Sequence, residues 1–416
     1  MNILIVGNGF DLAHGLPTKY THFLDYCRDY DPKNPISDNK TIAAEFAEII
    51  EQNVWLGYFQ HITPKDAEGK TWIDLEREIK RVVDAKSPFF EEEVFVVSSS
   101  FSAPFLRFLC LTEFAKENTS SLNDYGHYGD YIIQIPKVTD HPSYIQWLYT
   151  QLRAFIRAFE IYCVEHINEL KDIVSPAALG YRTEWNQYDE DIRYAREQKH
   201  KLHNEKKKPN ESFFEYRRRI ESWEVTEKQT QNKQKALLNN PKAFLALSRF
   251  DCILSFNYTK TYQLLYGTSS QHCYIHGQAQ RDPCTTNMVL GIDDALSEEE
   301  AKVNFEWVKF KKYFQRIVLK TGSEYKDWLE DGTEKHVHIV GHSLDETDHD
   351  VFREFMTCDG CRTTIYYWNE QDHNAKIEQA IRIVGRDELI KQVHGSDWTI
   401  RFVDLYGPQG LFDKRL

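Results

Sequence analysis

The chain has 416 residues, which is long enough for two domains or for one domain that carries a large insertion. Its hydrophobic content of 41% and aromatic content of 14% favour a packed globular protein over a disordered one. A formal net charge of −13 opposes non-specific nucleic-acid binding over the whole surface. No apolar run approaches the roughly 18 residues that a membrane span needs. The start of the chain lacks a signal-peptide pattern, so we expect a cytoplasmic protein whose eight cysteines are free thiols.

The predicted elements change character along the chain. A short apolar run ending at Val6 predicts a buried strand, and the turn Gly7-Asn8-Gly9 follows it. From about Tyr20 to about residue 245, apolar residues recur at helical spacing. Short β-rich runs then alternate with helical patterns, which predicts a mostly parallel, doubly wound α/β sheet. The runs are CILSF (252–256), CYIHG (273–277), NMVLGI (287–292), HVHIVG (336–341), TTIYYWN (363–369) and WTIRFVDL (398–405).

This order predicts one α/β core that is split by a large helical insertion. Residues 1–25 and 246–416 form the predicted core, and residues 26–245 form the insertion. Ligands of such sheets bind at the carboxyl ends of the strands, near the point where the strand order reverses. The residues at these predicted strand ends are Gly7, Asn8, Gly9, Asn257, His276, Gly277, Gly341, His342, Ser343 and Asn369.

Two strand-end side chains suit catalysis. The amide of Asn257 can donate and accept hydrogen bonds at once, so it could orient a water or a ribose hydroxyl. Histidine titrates near neutral pH, so His276 is expected to take a proton, and Gly277 leaves room beside it. The structural alternatives are that Asn257 caps the helix beginning YTKTYQLL and that His276 is a satisfied buried histidine.

The glycine turn carries an acid that a phosphate would avoid. Gly7 and Gly9 permit a tight bend and a close approach of a ligand. Asp11 occupies the site that a phosphate prefers at the start of a helix. A backbone cradle could still bind a phosphate if the Asp11 side chain turns back to cap its own helix.

The stretch GNGFDLAHGLPTKY (7–20) resembles, without a gap, the sirtuin pattern G-A-G-x-S-x-x-x-G-I-P-x-F-R. Four short stretches resemble later sirtuin segments in the same order: LSFNYT, YIHG, VGHSL and IYYWN. The resemblance implies that Asn257 and His276 are catalytic. It also implies an NAD-binding group made of Gly7, Asn8, Gly9, Phe10, Asp11, Pro17, Gly277, Gly341, His342, Ser343 and Asn369.

The chain as a whole resembles the bacterial abortive infection AbiH family. The similar segments are ILIVGNGFDLAHGLPTKY, LSFNYT, YIHG and GHSLDETD, which span both ends of the chain. The resemblance implies a role in phage defence and a core like a degenerate sirtuin. Because other sirtuin-like defence proteins destroy NAD, it further implies NAD+ glycohydrolase activity, with NAD+ as the substrate and no metal.

Two departures from sirtuins argue against protein deacylation. Thr259 replaces the acid that follows the catalytic Asn by two residues. Only Cys284 lies between His276 and Gly341, so the four-cysteine zinc module is absent there. The pair Cys358 and Cys361 favours a plain turn with two thiols over a zinc site.

Two other functions stay open. The core could sense a nucleotide without catalysis, with the helical part as the working part. The cluster at 336–350 could instead hold a metal for a nuclease; its members are His336, His338, His342, Asp345, Asp348, His349 and Asp350. Expected partners are NAD+ or a related nucleotide and a phage-derived trigger. A homo-oligomer is left open, and neither a membrane nor nucleic acid is expected. The basic run KHKLHNEKKK (199–208) favours a solvated helix over a partner surface.

Overall fold

The protein is described here from a computed structural model. The described residues are 1–63, 72–84, 94–97, 131–134, 141–167, 187, 190–201, 212–238, 250–266, 270–292, 307–330, 332–394 and 397–405. Most of the basic run at 199–208 lies outside these ranges.

A six-stranded sheet forms the centre of the fold, and all its neighbouring strands are parallel. This confirms the predicted α/β class and parallel sheet. The order across the sheet is β5-β4-β1-β6-β7-β8. Counting only these strands along the chain gives the order 3-2-1-4-5-6, which reverses beside β1. The strands are β1 (Asn2–Val6), β4 (Cys252–Ser255), β5 (Gln271–Tyr274), β6 (Lys335–Val340), β7 (Cys361–Tyr367) and β8 (Ile400–Asp404).

Helices occupy both faces of this sheet. The labelled helices are α1 (Asn8–Ala13), α2 (Tyr20–Arg28), α3 (Lys40–Gln52), α4 (Val54–Ile62), α5 (Trp72–Asp84), α6 (His141–Ile161), α7 (Phe213–Leu238), α8 (Thr261–Tyr266), α9 (Lys312–Leu319), α10 (Tyr325–Glu330), α11 (His349–Thr357), α12 (Glu370–Val384) and α13 (Arg386–Val393). Residues 190–201 are also helical, and a π-helical turn (Tyr162–Ile167) follows α6. Within the described part of the chain, no helix is long and apolar enough to cross a membrane.

The side chains of β1 show how the sheet packs against the helices on its two faces. Successive side chains of a strand point to opposite faces, so Ile3 and Ile5 pack in one apolar cluster while Leu4 and Val6 pack in another. The first cluster includes residues of α10 to α13, and the second includes residues of α1 and α8. Because β1 is buried on both faces, its continuous apolar run is the pattern expected of a central parallel strand.

Two parts of the sequence prediction were wrong. The span predicted to be helical, 26–245, also contains the antiparallel pair β2 (Val94–Val97) and β3 (Tyr131–Gln134). Both strands are rich in Val and Ile, which favour extended backbone. The run 287–292 is not a strand, although most of it is buried. Its backbone bonds instead with side chains and loops: Gln315 bonds both the N–H and the carbonyl of Leu290, and Val289 N donates to the His276 carbonyl.

The turns after β1 and β6 are in direct backbone contact. Gly9 N donates to Gly341 O at 2.8 Å, and Gly7 N donates to Val340 O at 3.1 Å. A Cβ atom on Gly9 would lie 2.8 Å from Gly341 O, and a Cβ atom on Gly7 would lie 2.6 Å from the His342 ring. The glycines therefore permit two chain segments to approach each other, which differs from the close approach of a ligand expected from sequence.

The substitution Gly341→Ala should destabilise the protein strongly. Gly341 has φ of 69°, and its Cβ would lie 2.2 Å from Phe10 N. Gly332→Ala is the matched control, because Gly332 has φ of 72° and open space around its Cβ position. The left-handed backbone costs about 1–2 kcal/mol in both variants, and overpacking adds about 1–3 kcal/mol at Gly341 alone. Urea unfolding measures this difference; equal losses would contradict the proposed contact.

Candidate functional site at the carboxyl edge of the sheet

A cavity of about 280 Å³ opens at the carboxyl ends of the central strands, beside the point where the strand order reverses. This is where sequence placed the site. The predicted residues that line it together are Asn8, Gly9, Asp11, Asn257, His276, Gly341, His342 and Ser343. The structure therefore brings these distant segments together around one cavity.

Five predicted site residues do not line this cavity: Gly7, Phe10, Pro17, Gly277 and Asn369. Phe10 is fully buried in an apolar cluster on the sheet. The Pro17 carbonyl accepts a hydrogen bond from the Tyr162 hydroxyl. Asn369 caps α12 by accepting from the backbone N–H of Asp372, at 2.9 Å.

The two glycines in this group have structural reasons for their positions. Gly7 packs against His342 and Gly341, as described above. Gly277 has φ of 74°, and a Cβ there would lie 2.1 Å from the backbone oxygen of Asn287. Both positions require glycine because another part of the backbone or a ring occupies the space of a side chain.

Asp11 does not cap its helix. α1 begins at Asn8 after Gly7, and no side chain caps it, so Asp11 lies inside the helix. Its carboxylate is fully buried and lines the cavity. Asn257 Nδ2 donates to Asp11 Oδ1 at 3.0 Å, and the Thr259 hydroxyl donates to Asp11 Oδ2. The idea that Asp11 caps its own helix, and so leaves a backbone cradle for a phosphate, is therefore wrong.

The same contacts define the role of Asn257. Its Nδ2 also donates to the carbonyl of Gly7, at 3.0 Å, so both amide protons are engaged. α8 begins four residues later, at Thr261, so Asn257 does not cap it. Among the residues described, its Oδ1 has no hydrogen-bond partner, which leaves it as an acceptor for a ligand.

A buried histidine–aspartate–histidine group lies next to Asn257. His276 Nε2 is 3.1 Å from Asp348 Oδ1, and His342 Nε2 is 3.5 Å from Asp348 Oδ2. His342 Nδ1 accepts from Leu344 N at 2.9 Å, which places the proton of His342 on Nε2. Asp348 Oδ1 can only accept from His276 Nε2, so the proton of His276 also lies on Nε2. The described residues offer no partner to His276 Nδ1, which is buried.

The protonation states in this group differ from the sequence expectation. Burial lowers the pKa of His276 to about 4, against the opposing effect of Asp348. The prediction that His276 titrates near neutral pH was therefore wrong, and the imidazole is neutral at pH 7. Burial acts to raise the pKa of Asp348, but Lys312 and the two imidazoles hold it well below its usual value. Asp348 is thus a carboxylate that lies between two imidazole rings.

Sequence reasoning missed two buried charged residues of the cavity, Lys312 and Glu76. Lys312 Nζ lies 2.9 Å from Glu76 Oε1 and 3.4 Å from Asp348 Oδ1, and all three side chains are almost fully buried. Burial lowers the pKa of Lys312, but the two carboxylates outweigh it and raise the pKa. Glu76 follows Leu75 and precedes Ile79 by three residues, so it lies in the apolar stripe of α5. A single carboxylate within an apolar stripe is the sequence signal that could have identified Glu76.

The charged lining of the cavity is better suited to a cation than to a phosphate. Three buried carboxylates line it: Asp11, Glu76 and Asp348. The N–H groups of Gly7 and Gly9 already donate to β6 and its turn, so they form no open anion cradle. Lys376 also lines the cavity, but its Nζ donates to both oxygens of Asp372, at 2.7 and 2.6 Å.

The 336–350 cluster does not gather around one point. His336 is exposed on β6, His338 bonds with the Tyr366 hydroxyl, and His349 Nε2 bonds with the Leu344 carbonyl. Asp350 pairs with Arg316 at 3.2 Å. In the ranges that the structure describes, no group of three or more His, Cys, Asp or Glu side chains could hold a metal ion. The nuclease hypothesis gains no support from this arrangement.

The substitution Asp11→Asn should stabilise the folded protein at high pH. Burial raises the pKa of Asp11 from 3.8 to about 6, so the folded protein binds a proton that the unfolded chain has lost between these pH values. The free energy of unfolding of the wild type therefore falls as pH rises from about 4 to about 6 and stays lower above it. Asparagine avoids this loss, because its amide can still accept from Asn257 and donate to the Thr259 hydroxyl.

The expected gain is on the order of 2–3 kcal/mol at pH 8, and it should shrink towards zero near pH 4. Urea unfolding at a series of pH values measures it. Asp387→Asn is the control, since the Asp387 side chain is 83% exposed. A gain that does not depend on pH would contradict the raised pKa of Asp11.

The family comparison covers most of the chain. No curated protein and no solved structure matches the sequence. A family model described as "Bacteriophage abortive infection AbiH" matches residues 3–367, which include β1 from Ile3 onward, β7 and the whole cavity lining except Trp368, Asp372 and Lys376. A match over this length shows the family, and the chain belongs to the bacteriophage abortive infection AbiH family.

Proposed function

We propose that the protein is a phage-defence effector that cleaves NAD+ at the nicotinamide–ribose bond in the cavity described above. One observation carries this proposal: Asn257, His276 and three buried carboxylates, which come from distant parts of the sequence, converge beside the switch point of a parallel sheet. Family membership supplies the connection to abortive infection.

The topology supports a nucleotide substrate. The strand order 3-2-1-4-5-6 is the one in which Rossmann-type sheets bind dinucleotides at the reversal point. A sirtuin-like core is part of the proposal and rests on the short motifs in the sequence. The volume of about 280 Å³ is near the lower limit of small-molecule sites. It suits the nicotinamide riboside half of the substrate, with the adenosine half outside.

The charge of the cavity supports this orientation. The nicotinamide ring of NAD+ is cationic, and cleavage passes through an oxocarbenium-like state in which positive charge develops on the ribose. Fixed carboxylates in a buried site stabilise such charge without reorganisation. Asp348 is ionised throughout the neutral range, because Lys312 and two imidazoles hold its pKa low. The acidic character that opposes a phosphate therefore favours the reacting end of NAD+.

Asn257 and His276 orient the substrate in this proposal. The amide protons of Asn257 are engaged by Gly7 and Asp11, which fixes its Oδ1 as an acceptor for a ribose hydroxyl. Asp348 holds His276 in the Nε2–H tautomer, so Nδ1 is a second acceptor. Because the pKa of His276 is about 4, its imidazole is a weak base at neutral pH. In this proposal the neutral imidazole positions the substrate and does not remove a proton.

Nicotinamide release from NAD+ by the purified protein tests the proposal. His276→Ala and Asn257→Ala should each lower kcat by roughly 100-fold, because each removes an orienting contact. His336→Ala is the matched control, since His336 is exposed on β6 and does not line the cavity. Equal release by His276→Ala and the wild type would contradict the assigned site.

The same variants should be compared in infected cells, because an effector of this kind can require a trigger. Cells that express the wild type should lose NAD+ after phage infection, and cells that express His276→Ala should not. If NAD+ is intact in infected cells and with purified protein, NAD+ cleavage is refuted.

A nucleotide-sensing core without catalysis is the second candidate. One observation favours it: the cavity charges are paired internally, as in Lys312 with Glu76 and Lys376 with Asp372. Tight binding of ADP-ribose by calorimetry without nicotinamide release would favour sensing over cleavage.

A further inference from the structure

We infer that Glu76 is the catalytic carboxylate that accepts the proton of the attacking water. This inference rests on the proposed cleavage of NAD+ and assigns a catalytic residue to the long segment between β1 and β4. Glu76 belongs to α5, is 6% exposed and lines the cavity.

The other buried carboxylates of the cavity are occupied. Asp11 accepts from Asn257 on one oxygen and from Thr259 on the other. Asp348 faces His276 and Lys312 on Oδ1 and His342 on Oδ2. In both residues the hydrogen bonds of the protein already compete for the oxygen lone pairs, which weakens each carboxylate as a base.

Glu76 presents one oxygen for chemistry. Its Oε1 is held by Lys312 Nζ at 2.9 Å, and its Oε2 is buried without a hydrogen-bond partner among the residues described. Thr347, which also lines the cavity, lowers the pKa of Glu76 through its side-chain hydroxyl, and Oε2 still has no partner within hydrogen-bond distance among the residues described. Lys312 therefore orients the carboxylate, and Oε2 is left as an acceptor for a water molecule.

The acidity of Glu76 suits this role. Burial raises its pKa to about 7, and the nearby Lys312 ammonium only partly opposes that rise. A general base works best when its pKa lies near the working pH. His276, with a pKa of about 4, is a much weaker base. Glu76 thus combines an available oxygen with the appropriate proton affinity.

The reaction is a simple hydrolysis. The water oxygen forms a bond with C1′ of the nicotinamide ribose. The C1′–N bond breaks, and its electron pair returns to the ring nitrogen, so nicotinamide leaves as a neutral molecule. The water proton passes to Oε2 of Glu76 and is later released to solvent. The products are nicotinamide, ADP-ribose and one proton, and no other reactant is needed.

Glu76→Gln tests the assignment with little change in shape. We expect kcat for nicotinamide release to fall by about 100- to 10,000-fold. ADP-ribose affinity, measured by calorimetry, should stay within a few-fold of the wild-type value. Glu78→Gln is the matched control on the same helix, because Glu78 bonds with the Tyr58 hydroxyl and does not line the cavity. Its kcat should equal that of the wild type.

The pH profile separates a base from a structural residue. Wild-type kcat should rise with pH through about 7 and then level off, because only ionised Glu76 accepts the proton. The residual activity of Glu76→Gln should lack that rise. Should Glu76→Gln unfold in a thermal scan, the folded Glu76→Asp variant replaces it, and its kcat should lie well below wild type with the rise retained.

The outcomes are distinct. Wild-type release of nicotinamide together with near-wild-type kcat for Glu76→Gln overturns the role of Glu76 and leaves NAD+ cleavage standing. A pH rise that survives in Glu76→Gln does the same. Failure of the wild type to release nicotinamide, in the purified state and in infected cells, overturns NAD+ cleavage and the role of Glu76 with it.

Discussion

The architecture depends on the backbone contact between the turns after β1 and β6. Gly9 N reaches Gly341 O at 2.8 Å only because neither residue carries a side chain. This contact brings α1, which carries Asp11, beside the segment that carries His342 and Asp348. The glycines after β1 and β6 are therefore explained by the close packing of these two turns.

The buried charged side chains of the cavity are tolerated because they pair with one another. A buried ion without partners costs several kcal/mol, yet Lys312, Glu76 and Asp348 are all nearly inaccessible to solvent. Each carboxylate partly offsets the burial of the ammonium, and Asp348 is further stabilised by two imidazoles. The arrangement also separates the proton affinities of the acids: Asp348 stays ionised while Glu76 has a pKa of about 7. Such separation is typical of sites that carry out acid–base chemistry.

Sequence reasoning predicted the parallel sheet and part of the cavity lining for one physical reason. Parallel strands place their carboxyl ends on one edge, so the residues after each apolar run, such as Asn257 and His276, could be expected to meet. It failed where a side chain acts through tertiary contacts. Glu76 pairs with Lys312, which is more than 200 positions away in the sequence, and no local sequence pattern indicates that Lys312 is buried. On α9 the apolar Ile317 is 72% exposed while Lys312 is buried, which inverts the usual amphipathic rule. The direction of Asp11 and the acidity of His276 are likewise set by burial, which a linear pattern does not contain.

The central position of β1 has a consequence for the nascent chain. β1 is synthesised first, but its sheet neighbours β4 and β6 begin at residues 252 and 335. At typical rates of about 5–20 residues per second, translation to Asp348 takes roughly 20–70 s. Until then the ribosome-bound chain lacks His342 and Asp348, and the cavity cannot assemble. Any activity that depends on this cavity would therefore be absent from chains that end before Asp348.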